Sequence, residues 1–136
     1  MAELTELERE FEQSWVKMEL FFARQIIPRG QNYLRQIYLL ILFCQSSRDG
    51  RYCKNLRAGQ SMDALVVSRS AKHGLRRDQP SVRISADLNG NVYINYYDGK
   101  NRHGDELVMQ EIIDDILTVR QELIDVLEKL MQHPIE

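Results

Sequence analysis

Between Asp105 and His133 apolar residues recur at alternating steps of three and four, as Met109, Ile112, Ile116, Val119, Leu123, Val126 and Leu130. That spacing keeps one face of an α-helix apolar for about three heptads. Ile113, Leu117, Ile124, Leu127 and Met131 add a second row, wider than a two-stranded coiled coil requires. The pattern predicts one long amphipathic helix over 105–133, capped by Asp105 and ended by His133 and Pro134. Its seam is the expected oligomerisation surface of a homodimer, because burying one leucine or isoleucine is worth about 1.5–3 kcal/mol.

The N-terminal pattern is also helical. Thr5 and Glu8 have the spacing of a capping box, so a first helix is expected to begin near Glu6. Its buried side would hold Leu7, Phe11, Trp15, Met18, Phe22 and Ile26. Pro28 and Gly30 interrupt it, and a second helix over Gln31 to Gln45 is apolar around nearly its whole circumference, as a central helix would be.

From Ser46 to Pro80 the periodicity fades, apart from a short apolar run at Ala64 to Ser68 that reads as a strand. Ala71 to Pro80, broken by Gly74 and Pro80, reads as an exposed loop. A step of two then takes over. Asp87, Leu88, Asn89 and Gly90 match a type I turn followed by a left-handed glycine, which gives a hairpin over Ser81 to Tyr97 with a three-residue loop. This register puts Val82, Ile84 and Ala86 on one face with Val92, Ile94 and Tyr96, whereas a two-residue loop would mix the faces. The opposite face then carries Arg83, Ser85, Tyr93, Asn95 and Tyr97.

The predicted class is α+β: a helical bundle of two N-terminal helices and one long C-terminal helix, with a β-hairpin packed on it, forming an oligomer. A length of 136 residues and 43% hydrophobic composition suit a single domain. Its parts are a helical hairpin over 1–45, an irregular basic segment over 46–80, the hairpin over 81–97 and the long helix over 105–133.

Charge is strongly partitioned. The net −2 divides into −4 for residues 1–19, +9 for 20–104 and −7 for 105–136. A basic middle between acidic helices either neutralises them within the fold or across a dimer, or offers a surface to nucleic acid. Self-neutralisation is the preferred reading, because the whole chain is nearly balanced.

Catalytic and metal signatures are weak. His73, His103 and His133 lie far apart without second ligands at helical or hairpin spacing, so no metal or cofactor is expected. Asp114 and Asp115 are adjacent and diverge on a helix. No glycine-rich phosphate motif occurs. Cys44 sits in an apolar run that raises a thiol pKa, and with Cys53 it makes no CxxC pair; both are expected to be reduced thiols. The longest apolar run, Ile37 to Cys44, is too short to span a bilayer, and Met1 to Glu12 lacks a signal-peptide pattern, so the expected location is cytoplasmic, without membrane contact.

The expected function is therefore non-enzymatic: a small adaptor or regulatory protein that self-associates through its helices and binds a protein partner. The candidate partner-binding residues are Arg83, Tyr93, Asn95 and Tyr97 on the hairpin, with Arg69, Lys72, Arg76 and Arg77 from the basic segment. Tyrosine and arginine are interface residue types, combining flat amphipathic area with paired donors. The alternative is a nucleic-acid-binding protein, with Arg48, Arg51, Lys54 and Arg57 joining the other basic residues on the backbone while the tyrosines stack on bases.

Overall fold

The computed structural model describes residues 5–72, 78–89, 91–100, 106–112 and 120–136. Within them lie four α-helices, α1 (Glu6–Ile26), α2 (Arg35–Ser46), α3 (Arg51–Asn55) and α4 (Arg120–Met131). The strands are β1 (Arg57–Ser61), β2 (Ala64–Ser68), β3 (Ser81–Ala86), β4 (Asn91–Tyr97) and β5 (Glu106–Ile112). They form one antiparallel sheet in chain order. The class is mixed α+β.

Helix α1 begins where its capping box requires. Thr5 Oγ1 accepts from the Glu8 amide and Glu8 Oε1 accepts from the Thr5 amide, both at 3.1 Å. Phe11, Trp15 and Phe22 are fully buried. The Trp15 indole N–H donates to the Leu56 carbonyl at 2.8 Å, and the Ala58 amide donates to Ser14 Oγ at 2.9 Å. Strand β1 lies at one end of the sheet, so α1 satisfies backbone groups that an open edge would offer to other strands.

One face of the sheet is sealed. Leu65, Val67, Val82, Ile84, Val92 and Ile94 are fully buried and share one core with Ile37, Leu40 and Ile41 of α2 and with Leu123, Leu127 and Leu130 of α4. Helix α2 is central as expected, although Leu39, Leu42 and Phe43 remain partly exposed.

The long helix expected over 105–133 does not form. Residues Glu106–Ile112 are strand β5, with Met109 opposite Ile94 and Ile112 opposite Asn91, and of the expected helix only α4, Arg120–Met131, is helical among the described residues. Seven residues can satisfy either period, and β4 offers an edge of unpaired backbone groups that only a strand can satisfy. Tertiary pairing thus outweighs the local periodicity. Ile113, Ile116, Leu117 and Val119 lie outside the described residues, as do Asp105, Asp114 and Asp115. Leu123, Val126 and Leu130 are 0%, 3% and 0% exposed within this one chain, so that part of the seam is covered without a second subunit.

The segment 46–80 is more regular than its composition implies. The strand at Ala64–Ser68 is present, but Arg57–Ser61 pairs with it through a two-residue turn at Met62 and Asp63. That turn carries no glycine or asparagine; Met62 itself takes φ 56°, which removed the usual sequence signal.

Candidate interaction face of the sheet

The hairpin has the expected register. Val82 pairs with Tyr96, Ile84 with Ile94 and Ala86 with Val92 on the sealed face, while Arg83 faces Asn95, Ser85 faces Tyr93 and Ser81 faces Tyr97 on the other. The Asp87 amide donates to the Asn91 carbonyl at 3.0 Å, closing the loop over residues 88–90. Gly90 itself lies outside the described residues.

Side chains order this turn. Asp87 accepts from the Asn89 and Asn91 amides at 2.9 and 3.0 Å, from Asn91 Nδ2 at 2.9 Å and from the Tyr93 hydroxyl at 3.0 Å. The bonds from Asn91, together with those from Tyr93 and Asn89, hold the Asp87 carboxyl below its ordinary range. The same bond pushes the Tyr93 phenol upward. Tyr93 is therefore both a face residue and a brace for the turn.

The outer face is divided in two. Over β1 and β2, Val66 and Ser68 are only 6% and 7% exposed, because α1 and residues 71–72 border them. A groove of about 770 Å³ remains there, lined by Lys17 and Met18 of α1, Gly59 and Val66 of the sheet, and Lys72. Over β3 and β4 the described helices leave the face open, and Arg83, Ser85, Tyr93, Asn95 and Tyr97 are all partly exposed. Neither the groove nor the exposed Met62 tip was predicted. The groove depends on how α1 and β1 meet, which no local pattern encodes.

The basic segment does not act as one surface among the described residues. Arg57 donates to the Ser70 and Ala71 carbonyls at 2.9 and 3.0 Å, pairs with Glu10 at 3.5 Å and lies over the Phe11 ring. Arg51 pairs with Glu128 at 3.1 Å. Arg69 donates to the His133 carbonyl at 2.9 Å and the Asn55 carbonyl at 2.8 Å, and its burial lowers its pKa. These contacts join the basic middle to both acidic helices. Arg83 and Lys72 remain at the face and the groove, whereas Arg76 and Arg77 lie outside the described residues.

Arg69→Ala is accordingly expected to cost about 2 kcal/mol, the loss of two charge-assisted bonds at a partly exposed site. Urea denaturation checks this, and a midpoint unchanged from wild type would return Arg69 to the set of free surface cations.

The remaining candidate chemistry is dispersed. Cys44 is fully buried and Cys53 is 8% exposed, and burial pushes both thiols upward. His133 meets the Tyr96 hydroxyl at 2.8 Å, while His73 and His103 lie outside the described residues. Among the described residues no three His, Cys, Asp or Glu side chains are placed to hold a metal ion, and no helix is long and apolar enough to cross a membrane. No protein-family model matches the chain, and comparison with the curated proteins and with the solved structures gives no match.

Proposed function

We propose that this chain is a small non-enzymatic adaptor or regulatory protein that self-associates through its helices and binds a protein partner across the outer face of β3 and β4. One observation carries the reading: the helices seal one face of the hairpin, while the other holds Arg83, Tyr93, Asn95 and Tyr97 together on adjacent strands. Tyr93 is already held by Asp87, so less side-chain entropy is lost when a partner covers it. The groove that Lys72 helps to line lies on the same side of the sheet and supports its inclusion in the partner surface.

Nucleic acid is the second reading, weakened because Arg51, Arg57 and Arg69 bind their own chain. A photo-crosslinking residue at Asn95 is expected to capture a protein that the same group at exposed Glu122 does not. Against that purified partner, Arg83→Ala with Tyr97→Ala should weaken binding by about 2 kcal/mol, roughly thirtyfold. Tyr97 is a cleaner test than Tyr93, whose loss also frees the turn. Equal capture at both positions would sink the assignment of this face. Tight binding of single-stranded oligonucleotide that falls steeply with salt would favour the second reading instead.

A further inference from the structure

Helix α1 has two apolar faces, and the described residues cover only one. Phe11, Trp15 and Phe22 are sealed in the core, while Val16 and Leu20 are each 49% exposed and Ile27, at the C-cap, is 82% exposed. At about 100° per residue, Val16, Leu20, Ala23 and Ile27 fall within an arc of about 60°. Steps of four, three and four residues make a coiled-coil seam, unlike the scattered single apolar side chains of an ordinary surface.

The flanking charges identify the partner and its direction. Glu12 and Glu19 lie on one side of the seam, Lys17 and Arg24 on the other. None of the four makes an ion pair or side-chain hydrogen bond among the described residues. Two copies of α1 side by side in parallel bring Glu12 beside the partner subunit's Lys17 and Glu19 beside the partner subunit's Arg24. Antiparallel packing instead sets glutamates against glutamates and cations against cations. Flanking charges of this kind select both partner and orientation in coiled coils.

We propose that α1 is a homodimerisation helix on which a second copy of this chain docks in parallel, along Val16, Leu20, Ala23 and Ile27. Each subunit uses the same patch, so the pair closes with two-fold symmetry. About three helical turns take part, which places the interface at the small end of the specific range and makes the dimer exchange with monomer. The proposal deepens the self-association part of the proposed function and rests on it, but not on the sheet face.

Sedimentation equilibrium from micromolar to millimolar concentration is expected to show the mass rising from 16.0 kDa toward twice that value. Leu20→Asp, at a half-exposed position, should keep the Trp15 emission of the folded chain and remain at one chain's mass throughout. Glu12→Lys with Glu19→Lys should weaken association at least tenfold, and adding Lys17→Glu with Arg24→Glu should restore it. Ile27→Cys should crosslink to its own copy under diamide, with the wild-type chain and its buried thiols as the control.

A wild type that stays monomeric overturns the proposal. So does a dimer that survives Leu20→Asp, which would place self-association on another surface. Crosslinking of Ile27→Cys only to a Val16→Cys chain would overturn the parallel arrangement. A monomer that still captures a protein at Asn95 removes the dimer alone, whereas a dimer without such capture removes the sheet-face reading alone.

Discussion

Trp15→Ala is expected to cost about 3–5 kcal/mol, a large share of the total stability of a domain of this size. Trp15 is fully buried, so truncation opens a cavity between α1 and the core, and it also leaves the Leu56 carbonyl without the indole N–H. The loss falls where α1 meets the start of β1, so the free edge of the sheet is expected to become accessible together with the helix. Trp15→Phe separates the two effects: it keeps most of the apolar volume and should cost about 1–3 kcal/mol for the orphaned carbonyl. Denaturation followed by circular dichroism measures both, since Trp15 is the sole tryptophan. A Trp15→Ala midpoint no lower than that of the neighbouring half-exposed Val16→Ala would remove Trp15 from the core assignment.

Gly99→Ala is expected to cost about 2–4 kcal/mol, combining left-handed backbone strain with overpacking. Gly99 has φ +84°, and a Cβ there would stand 2.9 Å from the Gln79 carbonyl carbon, 3.0 Å from Pro80 N and 3.1 Å from the Asp78 oxygen. Every one of those atoms is backbone, so no side chain can swing aside. The turn after β4 thereby presses on the segment that leads into β3, and Gln79 in that segment also donates to the Glu136 carbonyl at 2.9 Å. Gly30→Ala is the control: Gly30 has φ +69° but nothing within 4 Å of its added Cβ, so it should show the strain alone, about 1–2 kcal/mol. Thermal melts of the two variants test the close approach. Equal losses would mean that the 78–80 backbone yields to the methyl group.

The candidate face was legible in the sequence because a hairpin carries its own ruler. The turn residues set the loop length, the loop length sets the register, and the period of two then assigns Arg83, Tyr93, Asn95 and Tyr97 to one side. Long cationic side chains have no such ruler. Arg69 and Lys72 are alike as cations of the basic segment, yet one reaches the carbonyls of Asn55 and His133 while the other lines the groove. The several rotatable bonds of an arginine let it follow whichever acceptors the fold supplies. The second apolar row of α1, Val16 to Ile27, could be read from spacing alone; its exposure could not, because burial is set by what packs alongside.

What the sequence determined by itself is what short-range geometry can decide: the start of α1 at Thr5 and Glu8, the strand at Ala64–Ser68, and the hairpin register around Asp87. In each case the interacting groups lie a few residues apart, so the chain meets the same constraint in any surroundings. Tertiary structure decided the fate of residues 106–112, where apolar spacing fits a helix but the open edge of β4 makes a strand. It also decided the pairing of β1, whose residues Arg57 to Ser61 have little strand preference and join the sheet because β2 binds one edge and α1 covers the other. Backbone groups must be satisfied wherever they are buried, and only the assembled neighbours determine which geometry satisfies them.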